Sequence, residues 1–155
     1  MANTVYNTIA VEYTEPLNRL EMVSGEAVKP GHLLEVSSGT LIKHATANGA
    51  LPTKLVAVET QTPDASSTAH IDIEYASGDT VYYVQAEQGN VLNMWLKAGE
   101  STTKGETWLR SDGAGQLTAL GTPDATTIAM SIVGVAWQTV TGGAAAKRCL
   151  VRIGS

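Results

Sequence analysis

"SGEAVKPGHLLEVSSG", residues 24–39, and "AGESTTKGETWLRSDG", residues 98–113, are two versions of one pattern. In each, a Gly-Glu step is followed by a second glycine, an apolar side chain and a third glycine at matching intervals: Gly25, Gly31, Leu34, Gly39 and Gly99, Gly105, Trp108, Gly113. Such a unit reads as a turn whose glycine tolerates positive φ, a polar residue at the bend, then a strand entering the core. No catalytic residue type recurs at equivalent places, so the repetition points to architecture. The match extends outward, pairing Leu41 with Leu117 and "LVAVET" (55–60) with "IVGVAWQT" (132–139). "SGDTVYYV" is a shorter echo, in which Gly78 stands before Val81 as Gly31 stands before Leu34. Two facing sets of such strands predict a pseudo-symmetric barrel or β-clip, with Gly31, Gly78 and Gly105 as structural turns.

The rest of the chain agrees. Short runs rich in β-branched and aromatic residues ("HLLEV", "TLIKHA", "TKLVAVE", "TVYYVQ", "TWLRS", "KRCLVRI") are separated by Gly and Pro at the spacing of a barrel or sandwich. "GNVLNMWLKAG" (89–99) is bounded too closely by glycines for a helix and reads as a strand or bulge. Leu17, Leu20 and Val23 have threefold spacing, but Gly25 closes the window early, so at most one helical turn is expected there. "HIDIEY" (70–75) alternates Asp72 and Glu74 with apolar residues, which predicts a strand with both carboxylates on its outer face. The expected fold is all-β: one compact β-barrel or β-clip-like domain over residues 16–155, preceded by an extended N-terminal arm over 1–15. In that arm Val5, Ile9, Val11 and Tyr13 alternate with Tyr6, Ala10 and Glu12. Val5, Tyr6, Ile9, Val11 and Tyr13 are therefore candidates for adding a strand to a partner. The alternative is that the segment is the first strand of the protein's own sheet.

Composition narrows the function classes. Charged residues make up 16% of the 155, below the usual quarter, and the net charge is −5. Between Lys54 and Lys97 every charged residue is acidic, the wrong sign for a nucleic-acid groove. The one basic cluster, Lys147, Arg148 and Arg152, reads as a solvated strand edge. Nothing in the sequence reads as a signal peptide or a transmembrane span, so no membrane partner is expected. Cys149 is alone and reads as a core residue. His32, His44 and His70 lack metal-ligand spacing, and neither a phosphate-binding glycine loop nor a nucleophile elbow is present, so no catalytic residue, metal or cofactor is expected. With no Phe in the chain, Trp and Tyr supply the aromatic surface. The tandem Tyr82-Tyr83 puts one ring on each face of its strand, and Tyr82, Tyr83, Trp95 and Trp108 are interface candidates.

"KPGHLLEVSSGTLIKHA", "LVAVE", "YASGDTVYYV" and "NMWLKAGESTTKGETWLRSDGAGQLTAL", in this order over roughly residues 18–140, resemble the small head-decoration, or capsid cement, proteins of tailed bacteriophages. The resemblance implies a β-rich fold, no catalysis and assembly on the outside of an expanded shell at local threefold positions, commonly as trimers. Its partners would be the major capsid protein and further copies of itself, and it would be made in the host cytoplasm and reside on the virion. Two other readings stand beside it. A carbohydrate-binding or receptor-facing β-domain would expose Trp95 or Trp108 as a sugar platform. A β-clip hydrolase would carry a Gly-rich C-terminal motif that the chain does not show.

Overall fold

The computed structural model describes residues 8–13, 17–47, 49, 51, 53–60, 69–120 and 131–154. The chain is all-β and is built from two copies of one five-stranded unit. The first comprises β2 (Arg19–Val23), β3 (Leu33–Ser37), β4 (Thr40–Lys43), β5 (Leu55–Ala57) and β6 (Thr80–Gln85). The second comprises β7 (Val91–Leu96), β8 (Trp108–Ser111), β9 (Leu117–Ala119), β10 (Ile132–Ala136) and β11 (Lys147–Ile153). Neighbour order is β2-β6-β5-β3-β4 in one and β7-β11-β10-β8-β9 in the other, and a further strand, β1 (Ala10–Glu12), pairs with the outer edge of β7. A parallel contact closes each ring, Ser24 to Leu41 in the first and Leu96 to Leu117 in the second.

Matching backbone contacts show that this is one architecture repeated. Val28 bridges Tyr75 as Thr102 bridges Val140. Gly31 N–H donates to Ala57 O at 2.8 Å, and Gly105 N–H to Ala136 O at 2.7 Å. Both glycines hold positive φ, +96° and +79°, a region an L side chain enters only with strain. The repeat seen in the sequence is therefore the repeat of the fold, with one correction of register. The sequence aligns Leu34 with Trp108, but strand pairing makes Leu34 the counterpart of Leu109, because Leu34 faces Leu55 of β5 and Leu109 faces Gly134 of β10. One extra residue between Gly105 and β8 shifts the match. Since side chains alternate faces, that one step separates a core position from a surface one. Leu33, the true counterpart of Trp108, is fully buried beneath the second unit, whereas Trp108 lies 39% exposed.

The two units share a core. One cluster fills the first barrel with Val28, Leu34, Leu41, Leu55, Ala57, Tyr75, Val81 and Tyr83. A second, larger cluster runs from the joint into the other barrel, uniting Leu33, Val56, Ile71 and Val84 with Leu92, Met94, Leu109, Leu117, Cys149 and Val151. Ile9 belongs to this second cluster and is fully buried.

Two local expectations are revised. Residues 19–23 form a strand, not a helical turn, because every residue of β2 finds an antiparallel partner on β6, Leu20 opposite Tyr83 and Met22 opposite Val81. Pairing over the whole segment outweighs a threefold spacing too short to nucleate a helix. "HIDIEY" is not a strand: His70–Asp72 form a 3-10 turn. The turn drops Ile71 into the joint and leaves its carbonyl and Asp72 facing Arg148 of the second unit.

Candidate functional site

The joint between the units gathers most of the polar chemistry. Trp95 on β7 stands opposite Arg148 on β11, and the guanidinium carbon lies 4.5 Å from the ring centroid. Trp95 Nε1–H donates to Pro30 O at 2.9 Å, and its backbone N–H donates to Gly31 O. Arg148 in turn donates to Asp72 Oδ1 at 2.7 Å and to Ile71 O. The arginine read as part of a solvated edge is thus a bolt between the two units, holding an aromatic face, a carboxylate and a carbonyl at once. Arg152 is likewise engaged, 4.3 Å from the Trp137 ring.

His32 packs in the same joint, its ring centroid 6.5 Å from that of Trp95, and its Nδ1 accepts the Lys29 N–H at 3.0 Å. Burial, and then the positive charges of Lys43, Lys29 and Arg148, lower its pKa to about 4. Because the folded value lies below the usual 6.5, the unfolded chain binds the proton first. Stability is complete above about pH 6.5, falls as pH drops toward 4, and is flat below that. Between pH 7.5 and 4.5 this one group is expected to remove roughly 2–3 kcal/mol. The check is urea denaturation of wild type and His32→Asn at both pH values. If the variant loses as much stability as wild type on acidification, His32 is not the responsible group.

A second buried contact crosses the joint. His44 Nδ1 and Ser111 Oγ are 2.6 Å apart, and His44 Nε2 lies 3.6 Å from Glu35 Oε2. The order serine, histidine, carboxylate is that of a nucleophilic triad. Here the serine is fully buried, and its oxygen also accepts the Gly113 N–H at 3.1 Å. The hydroxyl is not presented to solvent, so the arrangement ties the β3–β4 hairpin to β8. Sequence reasoning missed it because the three residues lie in different units or on opposite strands of a hairpin, with no motif linking them. Beside it, Leu34, Glu35, Val36, His44, Leu51 and Leu55 line a cleft of about 340 Å³. Among the described residues no group of three His, Cys, Asp or Glu is placed to hold a metal ion.

The residues singled out from sequence do not form one patch. Val5 and Tyr6 lie outside the described residues. Ile9 is sealed in the core, Val11 is half-buried, and Tyr13 is exposed. Residues 8–12 belong to the folded domain: Ile9 O accepts the Asn93 N–H, Ala10 pairs with Leu92, and Glu59 takes both the Thr8 hydroxyl and the Ile9 N–H. Neither ring of the Tyr82-Tyr83 pair is left fully exposed. Tyr83 lies inside the first barrel, and Tyr82, on the outer face of β6, is half-buried against both clusters because the second unit covers that face. Trp95 is occupied in the joint, which leaves Trp108 as the exposed candidate. Gly31, Gly78 and Gly105 all hold positive φ, as turns require.

Among the described residues the exposed large apolar side chains are Tyr13, Leu20, Val23, Val36 and Trp108, between 39% and 51% accessible. Three of them, Leu20, Val23 and Val36, sit on the first barrel; sequence spacing marked Leu20 and Val23 only as a possible helical turn and did not mark Val36. Their exposure depends on which strand edges the fold leaves open. No known protein family matches the chain, and no curated protein matches it.

Proposed function

We propose that this protein is a structural decoration protein that binds the outside of an expanded phage shell and stabilises it by noncovalent bridging. One observation carries the reading furthest. Both barrels carry exposed apolar side chains, Leu20, Val23 and Val36 on one and Trp108 on the other, while a shared core and the Arg148–Trp95–Asp72 contacts join the barrels into one stiff body. A stiff body with adhesive side chains on both of its units suits a bridge, since each copy ties neighbouring subunits together and several weak contacts act at once. The motif order from "KPGHLLEV" to "GQLTAL" supports the same reading, as does the low charge of the chain. The partner is the major capsid protein, and threefold lattice positions would be served by three copies related by one repeated interface.

Shells assembled with and without the protein, challenged by osmotic shock and by heating, provide the test. Decorated shells are expected to retain their genome under conditions that empty bare ones, and Trp108→Ala is expected to weaken that protection. Equal resistance of bare and decorated shells would overturn the reading. Trp108-dependent retention on a glycan array would favour the carbohydrate reading instead, because Trp108 is the exposed tryptophan of the two that could form a sugar platform.

A further inference from the structure

The two units are matched strand for strand, and one difference between them is informative. Leu20, opposite Tyr83, occupies the place in β2 that Leu92, opposite Val151, occupies in β7. The outer edge of β7 is filled by an antiparallel strand, β1, and Val91, Leu92, Asn93 and Met94 are all buried. At the corresponding edge of β2 no strand among the described residues is paired along Arg19–Val23, and Leu20 and Val23 are 40% and 47% exposed.

The backbone of that edge points outward. Ser24 N–H donates to Asp79 O and Ser24 O accepts Gly78 N–H, so both polar groups of Ser24 face β6, while Gly25 N–H turns the other way to Leu41 O. Alternation then directs the amides and carbonyls of Arg19, Glu21 and Val23 away from β6. Among the described residues none of the three makes a backbone bond outside the β2–β6 ladder. Asn93, the counterpart of Glu21, shows the consequence when the edge is filled: its N–H donates to Ile9 O of β1 at 2.8 Å. Exposed edges are ordinarily blunted by proline, lysine, bulges or inward charges. β2 has neither proline nor bulge, and its register with β6 is unbroken; its charged side chains, Arg19 and Glu21, are of opposite sign, so they repel a strand only in registers that set like charges opposite.

We propose that this edge is the docking site for β2 of a second copy, the two strands pairing antiparallel about a twofold axis at Leu20. Hydrogen-bonded pairing through Arg19, Glu21 and Val23 permits only registers that set these residues opposite one another or opposite their odd-numbered neighbours. An axis at Glu21 or at Arg19 opposes like charges. An axis at Leu20 sets Arg19 of each copy against Glu21 of the other, twice. The other face brings the two exposed Leu20 side chains together. Unlike charges and apolar pairs directly across a ladder stabilise it, and like charges oppose it. The contact is isologous and closes on itself, so it yields a dimer and not a filament. Its observations do not depend on the shell reading, but it claims Leu20 and Val23 for a second copy, which would leave Val36 and Trp108 as the apolar side chains facing a shell.

Sedimentation velocity of the full-length protein over a micromolar concentration series tests it, with circular-dichroism melts to confirm that each variant is folded. Wild type is expected to form a dimer. Arg19→Glu and Glu21→Arg each turn two attractive pairs into two repulsive ones, and each is expected to weaken association roughly tenfold or more. The double swap restores unlike pairs and is expected to return association to within a few-fold of wild type. Arg19 also lies 3.9 Å from Glu59, so Arg19→Glu carries a risk to the fold that changes at position 21 do not. Should that variant fail to melt cooperatively, the series wild type, Glu21→Gln, Glu21→Arg is expected to show successively weaker association. A wild-type monomer at the highest concentration, a trimer insensitive to the swaps, or a folded double swap that does not recover would each overturn the proposal.

Discussion

Removal of residues 2–13 is expected to cost the fold itself, giving a protein with no cooperative melting transition or one strongly destabilised. The deletion takes away Ile9, fully buried in the cluster that joins the two units, and uncovers the β7 edge that Ala10 and Glu12 pair with. Loss of a large buried aliphatic side chain alone costs about 2–5 kcal/mol, and the opened edge adds an unpaired row of backbone groups. Glu59 would also lose both hydrogen bonds that it accepts from Thr8 and Ile9. Thermal denaturation followed by circular dichroism decides the matter. A truncated protein that melts like wild type would show that β1 is dispensable and that the segment is free for some other use.

Gly134→Val is expected to be the most damaging point substitution in the second barrel. Gly134 sits on β10 between β8 and β11, facing Leu109 on one side and Ile153 on the other. A side-chain carbon at this position would lie 2.1 Å from Arg152 O and 2.9 Å from the adjoining carbonyl carbon. Those are backbone atoms of a central ladder, which a rotamer change cannot move aside. Overpacking in a core that can relax costs about 1–3 kcal/mol, and here the cost should exceed that range. At Gly78, by contrast, an added carbon meets no neighbour within 4 Å, so Gly78→Ala should lose only about 1 kcal/mol for its positive φ. Urea midpoints for the two variants provide the comparison. Similar losses at both sites would refute the close-approach argument for Gly134.

How far the sequence could be read depended on whether each feature is local. Turn glycines and alternating strands are short-range properties, so the repeat of Gly31, Leu41 and "LVAVET" in Gly105, Leu117 and "IVGVAWQT" sufficed to announce an all-β pseudo-symmetric barrel. The closing parallel contacts, Ser24 to Leu41 and Leu96 to Leu117, agree with that reading. Faces were harder. Leu33 and Trp108 occupy the same place in their units, and only the docking of one barrel on the other makes the first core and the second surface. Three of the candidate contact residues illustrate the same point: Ile9, Tyr82 and Trp95 have the composition of contact residues, and the contacts they make are with the protein's own second layer.

What the chain alone determined is the repeating unit, because φ preference and period-two patterning act within a few residues. What only the tertiary structure decided is which edge of each unit is filled. β1 covers β7, and among the described residues no strand pairs with the outer edge of β2, a distinction invisible in two matched strand patterns, since it rests on where a distant segment of the chain comes to lie.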